Sequence, residues 1–454
     1  MTLRRFACGI CLLVALPASA QIQPAPDADP RITALVTAVS EDRLRQLVAT
    51  LASFGTRESM SQSTSTTRGV GAARQWILDE LKRSSSRLQV SFDTYMVAPQ
   101  ARILRPTELR NVVAILPGRT ARRIYVTGHY DSMNLGASQA ALNTGAITNP
   151  QMSPDFNHDA DAPGANDDGS GTALTMELAR VFAESGVQFD ATLVFACWAA
   201  EEQGLVGSTA HAQKLAADKV AVDAMISNDI VGNVRAGNGI TDSQSVRVYA
   251  LGPEDSPHRA LARYVTTVGT TYVPGHRIRP MAREDRFQRG SDQSSFSHFG
   301  FPAVVFRESK ENFDRQHSAN DTADGVDVPY LAQNARVNAA SVASLALAPP
   351  APGVKNSRGQ PMLGRQPSGY DANLQWTASP GAVAYRVYWR DTWSNDWQHT
   401  QRVGNVTEFV LTNVSVDDFV FGVAAVGPGG QESLISSYVP SDWRLVEVKL
   451  VSKP

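Results

Sequence analysis

Cysteine is scarce: Cys8, Cys11 and Cys197 are the only three in 454 residues. The first two fall in an N-terminal segment expected to be cleaved, so the third has no partner and a disulfide-stapled fold is excluded. Cys197 lies within an apolar run and reads as packing. Charge of one sign is not in excess either, with 42 Lys and Arg against 44 Asp and Glu and a net charge of -2. That leaves no basic field for nucleic acid. The apolar run from Phe6 to Leu16 is too short to span a bilayer. Set between Arg4-Arg5 and Pro17-Ala18-Ser19-Ala20, it has the three-part pattern of a signal peptide over residues 1–20. Export to the periplasm or the medium is therefore expected, with no membrane anchor. The whole sequence is 43% hydrophobic, and what remains after that segment is longer than one ordinary domain, enough to bury a sizeable core.

After a leader at residues 21–30 that is rich in Pro and Asp, helical spacing begins at Leu35, Val36 and Val39. It continues through Leu44 to Leu51 and again from Ala72 to Leu81. Apolar strands are expected at Leu88–Val97, Asn111–Leu116, Ile124–Thr127, Ala191–Trp198, Ala224–Asn228, Val246–Leu251 and Ala303–Phe306. Helices are expected at Ser170–Glu184, Ser208–Ala217, Pro257–Val268 and Val328–Leu347. This alternation predicts a three-layer α/β sandwich over residues 31–347 with a mainly parallel central sheet, whose ligands bind at the carboxyl ends of the strands. The Pro-rich stretch 348–355 is a linker. From 356 to 454 short alternating strands predict a small all-β sandwich. It resembles a fibronectin type III module with Trp376 as the core tryptophan, a candidate for binding protein, glycan or cell wall.

The chain is organised around Ala162-Pro163-Gly164-Ala165-Asn166-Asp167-Asp168-Gly169-Ser170-Gly171. Two adjacent carboxylates stand among small residues that permit close backbone approach, and Ser170 is suited to cap the following helix. An isolated Asp pair would read as a solvated turn. Here the strand ending in Gly128-His129-Tyr130-Asp131 and the strand leading to Ala199-Ala200-Glu201-Glu202 both stop at metal-type ligands, and Asp229 closes a third. With His317, the donors His129, Asp167, Glu202 and Asp229 form a nitrogen and carboxylate set without thiolate, suited to zinc in a catalytic site. Five donors exceed one open zinc site, so a bridging carboxylate, for which Asp167 is the candidate, would allow two ions. Neighbouring side chains at a strand end point in different directions. Glu202 is assigned to metal and Glu201 to general base, taking a proton from the attacking water and passing it to the leaving amine. Asp131 is close enough in sequence to accept the second N–H of the His129 imidazole.

These blocks, with His317-Ser318-Ala319-Asn320-Asp321-Thr322, resemble in order the secreted dinuclear zinc exopeptidases, the family of bacterial leucyl-type aminopeptidases and of glutamate carboxypeptidase. The resemblance covers roughly Glu41 to Leu347. It implies His129 and Asp229 on one zinc, Glu202 and His317 on the other, Asp167 on both, catalytic roles for Glu201 and Asp131, and a cis peptide between Asp167 and Asp168. Asn166 and Gln293 depart from residues frequent in the family, and the basic stretch His276 to Arg289 is a further local peculiarity, for which a solvated loop is the bland alternative. Peptides are the expected substrates and aminopeptidase the expected activity. Carboxypeptidase, cyclising acyltransferase and a non-catalytic binding ectodomain are the alternatives.

Overall fold

The computed structural model describes residues 28–136, 138 and 148–439. The signal segment and most of the leader lie outside them. The leader's last residues do not behave as a mobile tail, because Asp29 caps the first helix and Pro30 opens it. Helices are α1 (Pro30–Thr37), α2 (Glu41–Ser53), α3 (Gly69–Ser84), α4 (Gly169–Glu184), α5 (Val206–Ala217), α6 (Pro257–Tyr272), α7 (Gln293–His298) and α8 (Val328–Leu347). The strands of the large sheet are β1 (Gln89–Val97), β2 (Thr107–Leu116), β3 (Arg123–His129), β4 (Thr192–Trp198), β5 (Val222–Asn228), β6 (Ser245–Tyr249), β7 (Arg277–Met281) and β8 (Ala303–Glu308).

Their order is β1-β2-β4-β3-β5-β8-β6-β7. The centre β4-β3-β5-β8 is parallel throughout, while β1, β2 and the β6/β8 pair introduce antiparallel contacts. Strand side chains alternate between faces, which divides the core in two. In β4, Leu193, Phe195 and Cys197 join the cluster beneath α1 to α4, α6 and α8, while Val194, Ala196 and Trp198 join the smaller cluster beneath α5 and α7. Burial also pushes the Cys197 thiol up, so it packs and does not react.

The expected helix cap is corrected: Asp168, not Ser170, precedes α4 and accepts from the Gly171 N–H at 2.8 Å. Ser170 turns inward instead, donating to the Asn166 carbonyl and accepting from Val231 N–H. The basic stretch after His276 is not a solvated loop throughout, since its first half is β7, paired with β6.

Beyond Ala348 the chain forms β9 (Leu363–Gly364), β10 (Ala372–Gln375), β11 (Ala384–Asp391), β12 (His399–Val403), β13 (Glu408–Leu411), β14 (Phe419–Val426) and β15 (Ser436–Ser437). They make two antiparallel sheets, β13-β10-β9 and β12-β11-β14-β15, which enclose their own core around Trp376, Tyr385 and Phe421. This unit also leans on the first: Leu434 packs into the larger core, and Arg390 pairs with Asp255. Among the described residues no helix is long and apolar enough to cross a membrane.

Candidate metal centre

Parallel strands in register deliver their ends to one edge. His129 ends β3 opposite Trp198 of β4, so the turn that follows β4 places Glu201 and Glu202 beside it, and Asp229 follows the end of β5 on the other side. Asp167 arrives on the loop before α4 and His317 on the loop after β8. All five expected donors and Glu201 meet here.

His129 Nε2 lies 3.4 Å from Asp167 Oδ1, 3.7 Å from Asp229 Oδ1 and 4.0 Å from Glu201 Oε2. His317 Nε2 lies 3.1 Å from Asp167 Oδ2 and 3.5 Å from Glu202 Oε2. Asp167 thus turns one oxygen to each imidazole. Two donor groups result, His129/Asp167/Glu202 and His129/Glu201/Asp229, with ligand atoms in each within 4.8 Å of one another. Glu201 and Glu202 therefore face the same hollow, contrary to the expectation that neighbouring side chains would part. Left-handed backbone occurs at Ala200, Ile230 and His317, with φ of 57°, 52° and 53°. Such non-glycine conformations collect at functional sites, where surrounding contacts hold them.

The peptide between Asp167 and Asp168 is cis. Asp168 Oδ1 accepts from Gly171 and Ile230 N–H, and its Oδ2 accepts from His129 N–H at 3.0 Å, tying the starts and ends of three elements together. Asp131 faces the His129 ring, as expected, and has a second role. Its carboxylate accepts the amides of Glu201 and Glu202, each at 3.1 Å, and stands 3.5 Å from His129 Nδ1, whereas its backbone oxygen is nearer at 3.1 Å.

Several participants were given no role from the sequence, although Asp321 stands in one of the blocks that carry the resemblance. Arg57, fully buried, donates to the carbonyls of Leu51 at 3.0 Å and Gly164 at 2.8 Å and to those of Tyr130 and Pro163. It clamps α2, the end of β3 and the Asp167 loop. Burial lowers its pKa to about 10 despite four nearby aspartates. Asp321 accepts from Asn166 and Asp167 N–H and is pushed up to about 7, chiefly by burial. Arg307 grips Asp229 at 2.6 Å and Asp285 at 2.9 Å. Asp292 is fully buried and pushed up to about 7, again chiefly by burial, with Ser208 pulling against it.

The electrostatics call for a cation. Burial pushes Glu202 well above the usual carboxylate range, and Asp167 and Glu201 add to the push. Burial also raises Glu201; His129 pulls against it, and Asp229 and Asp292 reinforce it. For Asp167, burial is outweighed by hydrogen bonds from His129 and His317, which hold it well below that range. Glu202 Oε1 is buried without a hydrogen-bond partner among the described residues, an arrangement costly unless something positive meets it. Clustered carboxylates and imidazole nitrogens without thiolate fit zinc.

Residues 111–342 match a family described as Peptidase family M28. A "Probable zinc metalloprotease" of Pyricularia oryzae is 36% identical over 449 residues, covering 90% of this chain and 84% of its own. A second, from Leptosphaeria maculans, is 34% identical and covers 91% and 97%. Among solved structures, the LapA aminopeptidase of Legionella pneumophila superposes with a TM-score of 0.53 at 20% identity, over 74% of this chain and 78% of that one. A glutaminyl cyclase of Porphyromonas gingivalis gives 0.51 at 18% identity, over 67% and 98%. At such identities the two structures speak for the fold alone.

Proposed function

The chain belongs to peptidase family M28, and we propose that it is a zinc-dependent aminopeptidase that releases N-terminal residues from peptides. The supporting observation is the pair of buried donor groups that share His129 at the carboxyl end of the sheet. In this reading His129 and Asp229 hold one zinc, Glu202 and His317 hold a second, and Asp167 contributes to both. Bound zinc supplies Lewis acidity toward the scissile carbonyl and toward water.

The chain's own residues do the rest. Glu201, beside His129 and Asp229 at the floor of the cavity, accepts a proton from the attacking water and returns it to the departing amine. Asp131 fixes the Glu201-Glu202 backbone through both amides and faces the His129 ring. Asp168, Asp321 and Arg57 hold the Asp167 loop. We assign residues 31–347 to this catalytic unit and residues from 356 onward to a fibronectin type III-like module that docks on protein, glycan or cell wall. Residues 1–20 are assigned to export.

A substrate panel with metal analysis tests the proposal. About two zinc ions per chain are expected, with hydrolysis of aminoacyl anilides lost on chelation, regained with zinc, and absent for N-blocked peptides. Turnover surviving in protein shown to be metal-free refutes the mechanism. Release of C-terminal residues points to a carboxypeptidase, and cyclisation of N-terminal glutamine to a cyclase-like acyltransferase. No turnover by zinc-loaded protein points to a binding ectodomain.

A further inference from the structure

Above the carboxylate floor is a cavity of about 700 Å³ whose lining includes Arg102, Arg286 and Arg289. The second half of the basic stretch noted in the sequence, between β7 and α7, supplies two of them. The turn between β1 and β2 supplies the third.

Their charges are poorly balanced. Arg286 and Arg289 both donate to Glu311 Oε2 at 2.8 Å, and the same carboxylate takes Arg247 at 2.7 Å. Arg286 also meets Asp285, whereas the other contacts of Arg289 are to neutral groups, the Gln316 side chain and the Phe313 ring, whose centre is 5.6 Å from its guanidinium. Arg102 donates to a backbone oxygen, that of Glu202, at 2.6 Å, and no carboxylate pairs with it among the described residues. The acids of the floor are committed to zinc in the proposed function, on which this inference rests. The upper wall is then left with an excess of guanidinium in a half-enclosed space. There a charge attracts an opposite charge more strongly than it would in open water.

We propose that Arg102 and Arg289 select substrates carrying a carboxylate near the scissile bond and disfavour basic ones. A planar guanidinium is matched to a carboxylate by two parallel donors. Two sources provide that group: an acidic side chain on the released residue, or the free C-terminus of a di- or tripeptide. Phe287 and Phe313, both exposed at the cavity wall, leave room for an apolar body beside the anion.

The test uses the full zinc-loaded chain. One arm compares kcat/KM for glutamyl, leucyl and lysyl anilides; the other compares a leucyl dipeptide with its C-terminal amide. At least one carboxylate form should exceed its neutral counterpart by about 10- to 100-fold, and lysyl should be poorest. Arg102→Gln should collapse that ratio toward unity and Arg102→Lys should keep most of it. Arg289→Gln is the second variant should the first not fold. Competitive inhibition by free glutamate against leucine reads the wall without depending on which anilide is turned over. Acidic and neutral forms within threefold of each other in both arms, or identical ratios for the Gln and Lys variants, overturn the proposal. Failure of every peptide to react would instead refute the peptidase reading.

Discussion

Exchanging one carboxylate for an amide at Glu201 and at Glu202 should yield two different enzymes. Both side chains are buried, at 11% and 5% exposure, and each belongs to one of the donor groups around His129. Their company differs. Glu202 faces His317 at 3.5 Å with its second oxygen unpartnered, the condition of a ligand, whereas Glu201 Oε2 stays 4.0 Å from His129. Glu201→Gln keeps size and shape while removing basicity. General acid-base assistance contributes about 10²–10⁴-fold, or about 2.7–5.4 kcal/mol of barrier, so kcat should fall by that factor with zinc retained. Glu202→Gln removes an anionic donor. Loss of partners one shell further out costs about 10- to 100-fold in metal affinity, so loss of a direct donor should cost at least as much. Steady-state kinetics under zinc-replete conditions, with zinc measured after gel filtration and by competition with a chelator, separate the two. A Glu201→Gln protein that loses zinc but works when it is re-added, beside a Glu202→Gln protein that is fully loaded and dead, would reverse the assignments.

Arg57→Met should destabilise the fold by about 3–5 kcal/mol, because four inward-facing carbonyls lose their donor and nearby aspartates lose a cation; urea denaturation giving under about 1 kcal/mol would contradict the clamp. Glu311 stays ionised against its burial because Arg286, Arg289 and Arg247 hold its pKa below the ordinary 4.5. A lowered folded pKa adds stability above the ordinary value that is lost as pH falls below it. Glu311→Gln should therefore cost about 3–5 kcal/mol at pH 7 and distinctly less near pH 3, and equal costs at the two pH values would refute the pairing. Truncation after Gly353 removes no site residue, so kcat for small substrates should stay within about threefold, but Leu434 leaves the larger core and Tm should fall by roughly 3–10 °C. An unchanged Tm, or a large loss of kcat in a folded truncate, would count against that division.

Much of the α/β unit was legible because its signals are local. Strands β3, β4, β5 and β8 are apolar runs that end at or just before polar, ligand-type residues, β2 is an apolar run that ends at Leu116, and α4 and α8 carry helical spacing over four or more turns. What escaped was short or atypical: β7 carries arginines and a proline, and α7 has only six residues. Such elements are specified by the partners they pair with, and a window of neighbours does not contain those partners.

The same division holds at the site. His129, Asp167, Glu201, Glu202 and His317 could be read directly, since each stands in a compact block where a strand or small-residue loop stops at a donor. Whether Glu201 and Glu202 part or converge depended on the left-handed turn at Ala200 and on Asp131 holding both amides. The hold of Arg307 on Asp229, the Arg57 clamp across α2, β3 and the Asp167 loop, and the meeting of Arg102 with Arg286 and Arg289 on one cavity were decided by tertiary structure alone. The residues in each case lie tens to hundreds of positions apart. A long side chain that binds backbone oxygens leaves no pattern in its own neighbourhood, because a carbonyl is the same on every residue and only the fold determines which ones come within reach.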